Sequence, residues 1–196
     1  MSVIAHHHRP RDARSVDNPS APPGKAHKYA RRERERCWLL AEPPKPGEVV
    51  AEIEITDLYF QGTRLRLRRM VDRRGRQPNV YKLTQKVPGP GPHRLTTNTY
   101  LSDAEYELLA RLDGLQLRKV RYSVPPFGVD VFDPPLDGLV LLEAEFESDE
   151  AMAAGTAPAN AVAEVTGDVR FTGGRLVTTT RPELLRHLAE FGLNPA

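Results

Sequence analysis

The segment "KYARRERERCWLL", residues 28 to 40, decides how the chain can fold, because it places Glu33 and Glu35 two positions apart where polar sequence becomes apolar. Residues two apart point in divergent directions on a helix but share one face of a strand. If the segment is a strand, both carboxylates lie on the same side of a sheet. Their role then depends on which other residues share that side.

Short β-like segments follow, and Pro-rich or Gly-rich breakers separate them. They read "VVAEIEITDLYF", "TRLRLRRMV", "NVYKLTQKV", "HRLTTNTYL", "LQLRKVRYSV", "FGVDVFD" and "GLVLLEAEFES". Alternation bounded by such breakers is typical of antiparallel strands. About eight strands of this kind, with few helices, predict a mainly β protein that forms a closed barrel or a sandwich.

Three segments have helical patterns. In "SDAEYELLARLDG", Ser102 can cap a helix and Glu105 stands three residues later, as in a capping box. The segment "TRPELLRHLAEFG" predicts a final helix, and "DEAMAAG" predicts one helical turn. The stretch "AEVTGDVRFTGGRLV" between them has no clear period, and we expect an irregular loop there.

Composition predicts a tail followed by a single domain. Residues 1–27 carry no periodic apolar pattern and are expected to be disordered, while residues 28–196 are long enough for one domain. The triplet His6–His8 is expected to be incidental or a tag remnant. The net charge of +2 does not favour specific nucleic-acid binding. A single cysteine fits a reducing compartment, and no apolar run reaches the roughly 20 residues of a membrane span. We therefore expect a cytoplasmic protein that binds no membrane; the oligomeric state stays open.

Charges of one sign are concentrated on one face of several predicted strands. These residues are Arg64, Arg66 and Arg68; Lys119 and Arg121; and Glu143, Glu145 and Glu147. The charges either face water on a half-solvated sheet, or line the polar lumen of a closed sheet whose apolar faces pack against helices. Concentration of one sign weakens the first alternative, since a solvated face usually mixes signs, but the phase of the strands alone does not decide between the two. Carboxylates suit Mg²⁺ or Mn²⁺, and arginines suit phosphate, so this lumen would bind a polyanion with a divalent metal.

In chain order, these segments resemble the CYTH domain family of class IV adenylate cyclases and thiamine triphosphatases. "ERERCWLL" resembles the family's Glu-x-Glu-x-Lys opening, "TRLRLRR" its Arg-x-Arg strand and "VYKLT" its lysine strand. "RKVRY", "FGVDVF", "GLVLLEAEFES" and "AEVTGDVRFTGGRL" are similar to the later segments, so the match covers about residues 28 to 190. The resemblance implies an eight-stranded antiparallel closed β-barrel, called a triphosphate tunnel, with a few flanking helices.

The resemblance also implies roles for individual residues. The metal ligands, for Mg²⁺ or Mn²⁺, would be Glu33, Glu35, Asp130, Glu143 and Glu145. The residues that bind phosphate oxygens would be Arg64, Arg66, Arg68, Lys82, Arg94, Lys119 and Arg121. The catalytic residues would be Glu33, Glu35 and Lys82. On this interpretation Glu33 and Glu35 alternate so that both reach the metal from one strand.

Several positions depart from the family pattern. Cys37 stands where the family has a lysine, and we expect it to be a small packed side chain, because a thiol cannot replace an ammonium. Thr96 and Asn98 stand where the family strand continues with glutamates, and Asp57 replaces a glutamine. Trp38 has the opposite phase to Glu35 and is expected in the core rather than at a base-binding site.

Three functions stay open at this point. The first is metal-dependent hydrolysis of a triphosphate, either inorganic tripolyphosphate or an organic triphosphate. The second is adenylate cyclase activity, in which the ribose 3′-hydroxyl replaces water as the nucleophile. The third is a catalytically degenerate protein that binds a triphosphate, polyphosphate or nucleotide, which the Cys37 departure would favour.

Overall fold

A single antiparallel sheet of ten strands dominates the fold in the computed structural model, which describes residues 29–89 and 94–195. The strands are β1 Arg31–Arg32, β2 Glu35–Leu40, β3 Ala51–Tyr59, β4 Leu65–Asp72, β5 Val80–Pro88, β6 Arg94–Leu101, β7 Leu115–Val124, β8 Phe127–Phe132, β9 Val140–Glu145 and β10 Ala161–Glu164. The helices are α1 Asp103–Leu109, α2 Asp149–Ala154, α3 Gly173–Leu176 and α4 Arg181–Ala189, with 3₁₀ turns at Pro46–Glu48 and Val169–Phe171. A mainly β fold with few helices is therefore confirmed. The predicted tail and its His triplet lie outside the described residues.

The strand order is β1-β6-β5-β4-β3-β7-β8-β9-β2-β10. The eight-stranded closed barrel is not confirmed, because the sheet has ten strands and its order has two ends. Two features account for the extra strands. The opening segment is divided into β1, which pairs with β6, and β2, which pairs with β9, and β10 adds a further strand beside β2. Between β1 and β2, the Glu33 N–H donates to the Arg94 carbonyl (3.0 Å), and the Arg34 carbonyl accepts from the Phe146 N–H (2.8 Å). This segment therefore contacts strands from both halves of the sheet.

Helix α1 begins as the sequence predicts. The Ser102 hydroxyl accepts a hydrogen bond from the Glu105 N–H, and the Glu105 carboxylate accepts one from the Ser102 N–H. Helices α2 and α4 are confirmed as well. The expected irregular loop before α4 is wrong in part, because it contains residues of β10, a 3₁₀ turn and α3. No helix of the described ranges is long and apolar enough to cross a membrane.

Helix α4 packs against the same face of the sheet as the charged residues. Its Leu184 and Leu188 are fully buried in a cluster with Leu39 and Leu141. Leu39 has the phase of Cys37, and Leu141 has that of Glu143, so these strands carry polar residues at one end of this face and apolar residues at the other. In the closed-sheet alternative, helices pack against the apolar faces of the strands, and α4 differs from this. The helix instead covers the apolar end of the charged face.

A second core lies on the opposite face. It consists of Trp38, Leu40, Val129, Val140, Leu142 and Ala144. Trp38 is only 1% exposed, which confirms its expected position in the core. The arginines that alternate with Glu33 and Glu35 also point to this side: Arg32 and Arg34 bind Asp149 at the start of α2. The arginines of the opening segment therefore bind α2 on this face, while its glutamates lie on the opposite face of the sheet.

Candidate functional site

The charged face of the sheet lines a cavity of about 530 Å³. Its acidic lining residues include Glu33, Glu35, Glu143 and Glu145, and its basic ones Arg64, Arg66, Arg68, Lys82, Lys86, Arg94, Lys119 and Arg121. Each strand contributes residues two apart, because alternate side chains share a face. Every site residue that the sequence predicted lines this cavity except Asp130, which is fully buried.

The acidic wall of the cavity is formed by β2 and β9. Glu35 lies opposite Glu145, and Cys37 lies opposite Glu143. Three potential metal-ligand atoms lie within 4.8 Å of one another, one each from Glu35, Cys37 and Glu143. Burial, together with the charge of Glu143, raises the pKa of Glu35 to about 7. Burial and the same carboxylates also raise the pKa of the Cys37 thiol, which donates a hydrogen bond to Glu35 Oε1 at 3.3 Å.

Next to this wall, two predicted phosphate-binding cations pair with two predicted metal ligands. Asp130 accepts two hydrogen bonds from Arg121, both at 2.7 Å, and a third from Lys119 Nζ. Arg121 also donates to Glu143. Burial alone would raise the pKa of Asp130, but Arg121 and Lys119 hold it below its usual range. Asp130 is therefore ionised and neutralised by its neighbours, and its role as a metal ligand stays a prediction.

A second buried ion pair involves Asp57, which stands out in the sequence only as a departure from the family pattern. Asp57 is 1% exposed and accepts two hydrogen bonds from Arg68, at 2.6 and 2.7 Å. Burial would raise the pKa of Asp57, but the charges of Arg68 and Arg66 lower it. The signal in the sequence was its phase, because Asp57 is two residues from both Ile55 and Tyr59 and therefore shares one face of the strand with them. Asp57 fixes the guanidinium of Arg68.

The basic wall of the cavity lies on β4, β5 and β6. Among the residues that the structure describes, Arg64 and Arg94 have no ion-pair partner, and Lys82 contacts the Tyr100 ring (5.1 Å to its centroid). Lys86, which is not among the predicted site residues, binds Glu33 at 2.7 Å. This wall therefore offers guanidinium and ammonium groups to an anion in the cavity.

Neutral side chains also lie on the basic wall, and two of them are joined to Arg66 by hydrogen bonds. Thr84 accepts a hydrogen bond from Arg66 Nη2 at 3.2 Å and donates one to Asn98 Oδ1 at 2.7 Å. The Thr96 hydroxyl is buried and has no hydrogen-bond partner within the described part of the chain. The two family departures on β6 thus have different surroundings: Asn98 helps to fix Arg66 through Thr84, while Thr96 has an unused polar atom beside the cavity.

The chain is similar to two solved structures. One is that of the inorganic triphosphatase NE1496, with 26% identity and a TM-score of 0.50, over 75% of this chain and 95% of that chain. The other is that of the hypothetical protein NE1496, with 28% identity and a TM-score of 0.50, over 76% and 99%. No protein-family model and no curated protein match the chain. The similarity confirms the resemblance to triphosphate tunnel enzymes of the CYTH family that the order of the motifs indicates.

Proposed function

We propose that this protein is a divalent-metal-dependent triphosphatase that acts on inorganic tripolyphosphate or an organic triphosphate. The observation that carries the proposal is the separation of charge across one cavity. Arg64, Arg94 and Lys82 lie on one wall, and Glu35 and Glu145 on the other. The similarity to an inorganic triphosphatase supports the same reaction class.

The basic wall is suited to the phosphate chain. Guanidinium groups present paired N–H donors that match phosphate oxygens, and Arg64 and Arg94 have no carboxylate partner in the described residues to compete for them. The cavity volume of about 530 Å³ lies within the range of small-molecule sites. We therefore assign substrate binding to Arg64, Arg66, Arg94 and Lys82.

We further propose that residues 31–40 act as one bent strand that closes the sheet into a tunnel. Counting β1 and β2 as one strand and leaving β10 aside gives eight strands from the ten observed. The Lys86–Glu33 ion pair and the hydrogen bond from Glu33 N–H to the Arg94 carbonyl support this closure, because they join the opening segment to β5 and β6.

The acidic wall fits a hard divalent cation. The oxygens of Glu33, Glu35, Glu143 and Glu145 are the ligand type that Mg²⁺ and Mn²⁺ prefer. Bound there, the ion would supply positive charge against the phosphates and acidify a coordinated water. The protein's own residues would complete the reaction: the arginines orient the terminal phosphate, Glu33 or Glu35 accepts the proton of the attacking water, and Lys82 offsets charge on the departing phosphate oxygen.

A degenerate binder is the second candidate, and Cys37 is the observation that favours it. Cys37 lines the cavity beside Glu35 and Glu143. At this position the CYTH family has a lysine that contacts substrate or water. In a degenerate binder the tunnel would retain triphosphate without turnover. Binding without phosphate release separates this function from hydrolysis.

Phosphate release from tripolyphosphate, with ATP for comparison, tests the proposal under Mg²⁺ or Mn²⁺ and under chelator. We expect metal-dependent release that falls about 100-fold in Glu145→Gln, because a carboxylate that helps to hold the metal is lost. Glu147→Gln is the matched control: Glu147 has the same phase, lies just beyond β9, and is exposed outside the cavity.

Release that persists under chelator, or equal effects of the two substitutions, would contradict the proposal. If neither substrate releases phosphate but tripolyphosphate still raises the thermal midpoint, the degenerate binder replaces the hydrolase.

A further inference from the structure

We propose that Glu35, Cys37 and Glu143 form a binding site for a thiophilic divalent cation of the zinc class. The inference rests on the proposed function for one point only, that the acidic wall holds a metal. It goes further in naming a thiolate ligand, and therefore a different class of metal from Mg²⁺ or Mn²⁺.

The geometry of β2 and β9 brings the three side chains together. Glu35 and Cys37 share one face of β2, and Glu143 lies opposite Cys37 on β9. Their ligand atoms lie within 4.8 Å of one another, and Cys37 Sγ is 3.3 Å from Glu35 Oε1. Zinc–sulfur and zinc–oxygen bonds of about 2.3 and 2.1 Å place tetrahedral ligand atoms roughly 3.5 Å apart. The ligand atoms would therefore have to move closer together, and the Glu143 carboxylate also accepts a hydrogen bond from Arg121.

Glu35 supplies an independent reason to expect a cation. Glu33 binds Lys86 and Glu143 binds Arg121, but Glu35 has no ion-pair partner among the described residues. Its one hydrogen bond comes from the Cys37 thiol. Lys86 acts on Glu35 only from beyond ion-pair distance. A half-buried carboxylate whose charge is poorly compensated is costly, and a metal ion next to it removes that cost. Glu35 thus has no cation in direct contact, unlike Glu33 and Glu143.

Cysteine adds a second class of metal to those that this wall can bind. Mg²⁺ and Mn²⁺ take oxygen ligands, whereas thiolates select Zn²⁺ and similar ions. Three protein ligands with a fourth position open to a cavity are also the usual arrangement of zinc at reactive sites. All three side chains line the cavity, so the open position would face the substrate-binding space. A lysine at position 37 would repel a cation; Cys37 can bind one.

The test is a Co²⁺ titration of the metal-free full chain without triphosphate. Cys37 is the only cysteine, so thiolate-to-cobalt charge-transfer absorption reports this site alone, even if histidines elsewhere bind cobalt. We expect absorption that saturates at about one Co²⁺ per chain and disappears when Zn²⁺ is added. Cys37→Ser should abolish the absorption, and Glu143→Gln should weaken Co²⁺ binding about tenfold or more.

Two controls keep the result interpretable. Replacement of His6, His7 and His8 by alanine should leave the absorption unchanged. Alkylation of Cys37 in the parent protein, followed by mass spectrometry, should slow about tenfold with Zn²⁺ and not with Mg²⁺, and it needs no variant to fold.

No charge-transfer absorption in the parent, or equal alkylation rates with Zn²⁺ and Mg²⁺, would overturn the proposal. Because substrate is absent, its failure is distinct from failure of the hydrolase: a chain that binds Zn²⁺ through Cys37 and releases no phosphate keeps this site and loses only the proposed reaction.

Discussion

Two groups among the charged residues of the inner face differ in what they bind. The paired group consists of Asp57, Arg68, Lys119, Arg121 and Asp130, which bind one another and are mostly buried. The open group consists of Arg64, Lys82, Arg94, Glu35 and Glu145, which have no ion-pair partner within the described ranges. Residues of both groups lie at every second position of their strands, so the pattern of charge does not by itself indicate a binding residue.

The difference predicts different consequences of substitution. Removing one partner of a buried ion pair leaves the other charge uncompensated in a poorly solvated place, which costs stability. Removing a charge that faces an open cavity costs little stability but takes away a group that would contact the proposed substrate. The paired group should therefore control unfolding, and the open group should control turnover.

The largest effect is expected for Asp57→Asn. Arg68 would stay buried without its carboxylate, so the free energy of unfolding should fall by about 3–5 kcal/mol. Urea unfolding at neutral pH measures this fall. Asp113→Asn is the control, since Asp113 is exposed and outside the cavity, and it should change stability by less than about 0.5 kcal/mol.

The stability difference between the parent and Asp57→Asn should also depend on pH. Because the pKa of Asp57 is lowered in the folded protein, its stabilising contribution is present above the unfolded-state pKa of about 4 and is lost as the pH falls through the folded value. The difference in stability between the parent and Asp57→Asn should therefore shrink below pH ~4. A loss below about 1 kcal/mol at neutral pH, or a difference that acid leaves unchanged, would show that the pair does not stabilise the fold.

The faces of the strands could be predicted from the sequence, because alternation is a local property. Glu33 and Glu35 line the cavity, while Arg32 and Arg34 bind Asp149 on the other side. A mainly β fold and the capped helix α1 were predictable for the same reason: their signals lie within a few residues.

The pairing of charges could not be predicted, because it depends on which strands meet and in what register. Asp57 reaches Arg68 only because β3 and β4 place these two residues directly opposite each other. Lys86 reaches Glu33 because the opening segment also contacts the far side of the sheet. The amphipathic pattern of α4 showed that one side is apolar, but not that this side would cover the inner face of the sheet.

An intermediate effect is expected for Arg64→Ala, which tests the open group. Loss of charged hydrogen bonds to phosphate should lower phosphate release about 10- to 100-fold, equivalent to about 1.5–3 kcal/mol, with little change in unfolding. Release kinetics and urea unfolding are measured on the same preparation. The control is Arg69→Ala, since Arg69 lies on the opposite face of the same region and is exposed.

If Arg69→Ala slows release as much as Arg64→Ala, the effect comes from net charge rather than from the cavity. If Arg64→Ala unfolds as easily as Asp57→Asn, the distinction between the two groups fails.

The smallest effect is expected for Arg36→Ala, on the outer face of β2 between Glu35 and Cys37. Arg36 binds Glu164 of β10 at 2.6 Å and the Gly155 carbonyl at 2.5 Å, but Glu164 is exposed to solvent. The expected loss of stability is about 0.5–1 kcal/mol, and it should decrease at high salt because solvent screens the pair. Urea unfolding at low and high salt measures it. Phosphate release should stay within about twofold of the parent, since Arg36 points away from the cavity and its loss removes no substrate contact. A larger loss of release would mean that β10 helps to hold the acidic wall in place, and the two faces of β2 would then not be independent.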